Sequence, residues 1–166
     1  MLLDRNGETP DLWTRLEDAA MAEIARPLVP YEALPAALAT CGATEPLGVA
    51  IPNTASVEVL GPHLARLSLI AVAFPATSDG RGFSLAKALR RAGFEGRLRA
   101  VGPLIPDQFA YALACGFDEV ELPETSAARQ APVQWREAAA WRGDAYQRGY
   151  RREGSILDRR RQIGAG

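Results

Sequence analysis

Histidine, lysine and cysteine are scarce in this 166-residue chain: His63 and Lys87 are the only residues of their kinds, and Cys41 and Cys115 stand alone and far apart. An iron–sulfur cluster takes about four thiolates and a structural zinc site about four Cys or His ligands. No such set exists within one chain, so no metal and no cofactor are expected. Two separated thiols in so short a chain fit a reducing compartment better than a disulfide scaffold. Long apolar runs are missing too. The stretch from Leu67 to Pro75 falls well short of the ~20 residues that span a bilayer, and Asp4 and Arg5 interrupt any apolar leader. The expectation is a cytoplasmic protein without membrane contact. A formal net charge of −1 supplies no global attraction to nucleic acid, and none is expected as a partner.

What is present is the composition of an ordinary globule, with 48% hydrophobic and 23% charged residues. The length suits one domain. A single α/β domain is expected over residues 1–147, its first 27 residues irregular or helical, with a helix begun by Asp11 and continued by Leu12, Leu16, Ala19 and Ala20. Residues 148–166 carry six arginines against Glu153 and Asp158 and read as a basic flexible tail.

The middle of the chain alternates. A short strand at Leu28–Val29 leads to a helix over Tyr31–Thr40. Apolar runs at Leu47–Ile51, Ser68–Phe74, Leu98–Val101 and Glu119–Leu122 are separated by stretches with helical spacing: Val57, Leu60, Leu64; then Phe83, Leu85, Ala86, Leu89; then Phe109, Ala110, Leu113. Strand–helix repeats with short links predict parallel βαβ units. Near-continuous apolar strands predict helices on both faces. The expected fold is α/β, an open, mainly parallel sheet of about four to five strands flanked by helices. A full eight-fold barrel takes about 250 residues, which leaves a partial β/α barrel as the alternative. Residues 127–150 read as one long C-terminal helix whose Trp135, Trp141 and Tyr146 either pack on the sheet or form a dimer interface.

In an open parallel sheet ligands bind beyond the carboxyl ends of the strands. Two loops fall there. One is Thr77-Ser78-Asp79-Gly80-Arg81-Gly82-Phe83-Ser84, with two glycines, an arginine fork, hydroxyls and a helix N-terminus, the parts of an anion site. The other carries Asp107 and Gln108 in the first turn of the next helix. The opposing view is structural: Asp79-Gly80 is a common turn pair, Ser84 caps its helix, and Arg81 pairs with Asp79 or Asp107. The spacing matches neither a dinucleotide fingerprint nor a P-loop. His63 lacks a second ligand, and Cys41 and Cys115 each precede a glycine that ends a helix, where a thiol is not activated.

The segments Leu69-Ile-Ala-Val-Ala-Phe-Pro75, Ser78-Asp-Gly-Arg-Gly-Phe-Ser84, Leu98-Arg-Ala-Val-Gly102, Asp107-Gln108 and Cys115-Gly-Phe-Asp118, with Tyr146-Gln147, are similar to one bacterial family, domain of unknown function 934. The resemblance covers about residues 47–147, and its most distinctive part is Asp79-Gly80-Arg81-Gly82. Pro106 departs from it, standing where a basic residue is common, and the arginine-rich end is an extension. The resemblance implies a setting beside the haemoprotein subunit of sulfite reductase and a label of oxidoreductase. Three roles follow as expectations: an accessory protein of sulfite reduction that binds a small anion or sulfite reductase components, a homodimeric interaction module, or a small-anion enzyme with Arg81 as clamp and Asp79 or Asp107 as acid–base group.

Overall fold

A computed structural model describes residues 1–18 and 24–140. The strands are β1 (Leu2–Asp4), β2 (Gly7–Glu8), β3 (Thr14–Arg15), β4 (Pro27–Pro30), β5 (Gly48–Ile51), β6 (Leu69–Ala73), β7 (Arg97–Val101) and β8 (Glu119–Glu121). The helices are α1 (Leu34–Thr40), α2 (Val57–Leu60), α3 (Arg81–Arg91), α4 (Pro106–Cys115), α5 (Glu124–Ala127) and α6 (Pro132–Ala140), with 3₁₀ turns at Tyr31–Ala33 and Gly61–Arg66.

All eight strands form one sheet in the order β2-β1-β8-β7-β6-β5-β4-β3. From β3 to β8 neighbours are parallel and follow chain order, while β1 joins β8 and β2 antiparallel. The expected four to five strands are thus too few. The omitted ones, β1, β2 and β3, are two- and three-residue strands too short to show a period, all within the first 15 residues.

A sheet wound in simple sequence order, with right-handed crossovers, receives its helices on one face. The expected cover on both faces gives way to a curled half-barrel, in keeping with the partial-barrel alternative. Five strand intervals separate β3 from β8, about 24 Å in a flat sheet. Yet Arg15 on β3 binds Glu121 on β8 at 3.0 Å, so the sheet bends until its far strands face each other.

The convex face is apolar. Val29, Val49, Ile51, Ile70, Val72, Leu98, Ala100 and Val120 are buried in one cluster with Leu85, Ala86 and Leu89 of α3 and Phe109 and Ala112 of α4. Phe74, just past β6, stacks at 4.9 Å from Phe83 and 5.8 Å from Phe117. This aromatic cluster seats the start of α3 above the end of β6.

The concave face differs. Leu28, Leu69 and Ala71 form a small second cluster, joined by Trp13. Residues 9–16, expected within a helical region, instead run extended across this face. Asp11 and Trp13 face inward, and the missing Cβ of Gly48 makes room for the Trp13 ring, since a methyl there would sit 3.0 Å from it. Ala19 and Ala20 of the expected helix lie outside the described residues.

The C-terminal helix also differs. Its expected span is broken between α5 and α6, and Pro132 opens α6. Trp135 is fully buried against Phe109, 5.3 Å between rings, so its indole belongs to the core rather than to an exposed interface. Trp141 and Tyr146 lie outside the described residues.

Candidate functional site

The β6–α3 and β7–α4 loops do share one rim, the carboxyl end of the parallel strands. Two bonds tie them: the Thr77 hydroxyl donates to Pro103 O at 2.5 Å, and Gln108 Nε2 donates to Thr77 O at 2.8 Å. Gln108 Oε1 also accepts from Ile105 N, so both ends of this amide are spent on holding the turn and the first turn of α4. Gln108 is therefore a brace of the rim.

Asp79 and Arg81 form a fork. Arg81 Nε and Nη2 reach Asp79 Oδ1 and Oδ2 at 3.0 and 2.6 Å, and the Arg81 N–H donates to Oδ1 at 3.2 Å. Asp79 thereby occupies the N-terminal end of α3, where a ligand anion would otherwise sit. The Arg81 bonds, with a smaller contribution from Asn53, hold the Asp79 carboxyl well below the ordinary carboxylate range, and Asp79 in turn raises Arg81. Asp79 stays ionised and is no proton donor near neutrality. The guanidinium side chain is nevertheless 62% exposed and two of its donors suffice for the fork, so its remaining edge faces outward.

The two glycines have different physical roles from those expected. Neither Gly80 nor Gly82 has a positive φ. A Cβ on Gly82 would lie 2.3 Å from the Phe74 ring, so this glycine lets the aromatic cluster close beneath α3. The backbone freedom is used at Gly102 instead: its φ is +149°, and a Cβ there would meet Phe74 O at 2.1 Å. Ser84 does not cap α3, whose N-cap is Gly80, and Ser78, Ser84 and Asp107 are exposed.

Asn53, two residues past β5, escaped the sequence-based selection. It is 92% buried (8% exposed), and its Nδ2 lies near enough to Asp79 to help keep it ionised without reaching hydrogen-bond geometry. Its only signal was position, a polar residue directly after a strand at the same rim. Among the described residues no group of three His, Cys, Asp or Glu is placed to hold a metal ion, and no helix is long and apolar enough to cross a membrane. Burial pushes the Cys115 thiol up, which suits a packing residue.

A second cluster lies on the concave face and was not anticipated. Arg99 is 1% exposed and binds Asp11 through Nη1 and Nη2 (2.7 and 2.8 Å), Glu119 through Nε (2.8 Å) and Glu121 through Nη1 (2.9 Å). Glu119 also binds Arg97 at 2.6 Å, and Glu121 binds Arg15. Burial alone would lower the Arg99 guanidinium, but the carboxylates outweigh it and raise it. The signal was available: Arg97-Leu-Arg99 and Glu119-Val-Glu121 alternate with period two, charged inward and apolar outward.

Fold and rim together define a singly wound α/β half-barrel with a knitted loop rim at its carboxyl end. The model of the family DUF934, bacterial proteins of unknown function, matches residues 48–156, and the chain belongs to that family. The match takes in the rim, Arg97, Arg99, Glu119 and Glu121, and it begins at β5, after the inward-facing segment 9–16. No curated protein matches the chain.

Proposed function

We propose that this protein is an accessory component of assimilatory sulfite reduction that contacts a sulfite reductase component through the Arg81 rim, without a redox cofactor of its own. The observation that carries this is the Asp79–Arg81 fork: a guanidinium fixed in direction by a bidentate carboxylate, yet mostly exposed. A pre-oriented Arg loses little freedom on meeting an acidic group of a partner. Free-anion capture is the weaker variant, because Asp79 already fills the α3 N-terminus. The pathway rests on the setting that the family resemblance implies.

The test is titration calorimetry of the purified chain against the haemoprotein subunit of sulfite reductase. Saturable binding that Arg81→Ala weakens about tenfold or more is expected, as for a central Arg contact. Absence of binding, together with normal growth on sulfate after deletion of the gene, would sink the proposal.

A small-ligand reading keeps one specific support, the orphaned Asn53 Nδ2 beside the fork. In that reading Arg81 orients the ligand and Asp79 cannot serve as the acid. Loss of turnover in both Asn53→Ala and Arg81→Ala, with the fold intact, would favour it. The dimer module has lost its Trp135 anchor to the core.

A further inference from the structure

Beneath residues 9–16, toward the amino ends of the parallel strands and away from the rim, lies a cavity of about 150 Å³, room for about five waters. Its walls are of two kinds. Leu2, Leu12 and Trp13 give an apolar side, and the other side is charged, with Arg26, Arg97 and Arg99 beside the carboxylates of Asp4 and Glu119. Arg99 is the buried hub of the ion network, and the two N–H groups it turns toward segment 9–16 are matched there by Asp11 in fork geometry.

Asp11 is the most replaceable partner in this network. Glu119 and Glu121 sit in a central strand, whereas Asp11 belongs to a stretch, Pro10–Trp13, that makes no backbone hydrogen bond to the sheet among the described residues; the flanking bonds are Thr9 N to Leu2 O and Thr14 N to Arg26 O. Asp11 is also 37% exposed while Arg99 is 1% exposed. Three arginines (15, 97 and 99) face three carboxylates (Asp11, Glu119 and Glu121), so withdrawing Asp11 leaves the network with one excess positive charge and a buried, unmatched fork. Leaving such a charge unpaired is costly, so an external carboxylate has a strong reason to enter. Leu12, 62% exposed at the mouth, and Trp13 supply an apolar wall for the body behind that carboxylate.

We propose that this cavity is a binding site for a small monocarboxylate with a short apolar body, whose carboxylate takes the position on Arg99 that Asp11 holds in this structure. Segment 9–16 is then both a wall of the site and its resident stand-in. The receiving Arg99 and its neighbour Arg97 lie within the family-matched region and the stand-in outside it.

Benzoate serves as probe, with benzyl alcohol as its uncharged counterpart and chloride as an ionic control. Asp11→Asn retains an oxygen for the Trp13 N–H but removes the competing charge. This variant should bind benzoate about tenfold tighter than wild type, the gain expected when a resident competitor is neutralised. Its melting temperature should rise with benzoate and not with the two controls. Equal affinity for benzoate in both proteins, or an equal rise with benzyl alcohol, would overturn the proposal. Should Asp11→Asn not fold, the wild-type chain decides: saturating benzoate should move the amide resonances of residues 11–13 and 97–99, and an unchanged spectrum there refutes the site.

Discussion

On the convex face of the sheet Ile70, Val72, Leu98 and Val120 meet α3 and α4 through apolar contact, whereas on the concave face Arg97, Arg99, Glu119 and Glu121 pair with one another across β7 and β8, and Arg99 and Glu121 reach Asp11 and Arg15 of an extended segment. Residues 98 and 99 are neighbours in sequence and equally hidden from water, yet one is held by non-directional burial and the other by four directed hydrogen bonds to three carboxylates. The apolar face tolerates a change of shape within its volume. The ionic face tolerates the loss of a partner badly, because the charge left behind stays desolvated.

The largest expected effect follows from that asymmetry. Arg99→Met should destabilise the protein by about 3–5 kcal/mol in urea denaturation, because it removes the hub of the network: Asp11 loses its guanidinium partner, and Glu119, which is 4% exposed, is left with Arg97 alone. Leu98→Ala, the convex counterpart, should cost about 2–5 kcal/mol by cavity formation. The two are separated by the double change Arg99→Met with Glu119→Leu. Replacing a buried pair by apolar groups should recover much of the loss, and if it recovers none the concave face is not held as described.

The next effect sharpens the contrast between two glycines of the rim region. Gly102→Ala meets both a positive φ and the Phe74 carbonyl, and should cost about 1–3 kcal/mol. Gly80→Ala meets nothing closer than 3.9 Å at ordinary φ, and should stay within about 0.5 kcal/mol. Equal losses in thermal unfolding would show that the distinctive Gly80 is structural after all.

The convex half of this comparison was legible in the sequence, and the concave half was not. The apolar runs gave β5 to β8, and 3.6-residue spacing gave α3 and α4 within two residues of their ends. Gly116 as the residue closing α4 was read correctly too, its φ at +106°. Period and capping are local, so one sequence carries them. The ion network joins residues 88 and 106 positions apart, and nothing local announces such a pairing. Segment 9–16 was misread as helical because Asp11 resembles an N-cap. Asp11 does cap locally, accepting from Trp13 N, but the rest of its hydrogen-bonding capacity goes to Arg99. At the rim, the shared edge was foreseeable from topology. The pairing of Arg81 with Asp79 over Asp107 was one of two options the spacing left open.

A smaller effect concerns acid. Burial pushes the Asp11 carboxyl up, but hydrogen bonds from Arg99 and the Trp13 N–H, with the charges of Arg99 and Arg15, bring it below its ordinary value. A carboxyl lowered by folding contributes stability that is fully present above its unfolded pKa, about 3.9, and is lost as pH falls through the lower folded value. Asp11→Asn should therefore flatten the acid limb of the stability curve from about pH 4 downward. A limb as steep as wild type would place the acid sensitivity elsewhere than in Asp11.

The smallest effect on stability is expected where the proposed effect on binding is largest. Asp79 and Arg81 form a short-range pair on the surface, and surface pairs contribute little to folding because water and salt screen them. Arg81→Ala and Asp79→Asn should leave the melting temperature unchanged within error. They should not be equivalent in binding. Without Asp79 the guanidinium keeps its charge but loses its fixed direction, so Asp79→Asn should weaken partner binding less than Arg81→Ala, and more at high salt, where charge alone counts for less. If both variants lose thermal stability to the extent of Gly102→Ala, the fork is a clamp of the α3 N-terminus, and the rim resembles the concave face in spending its charges on the fold.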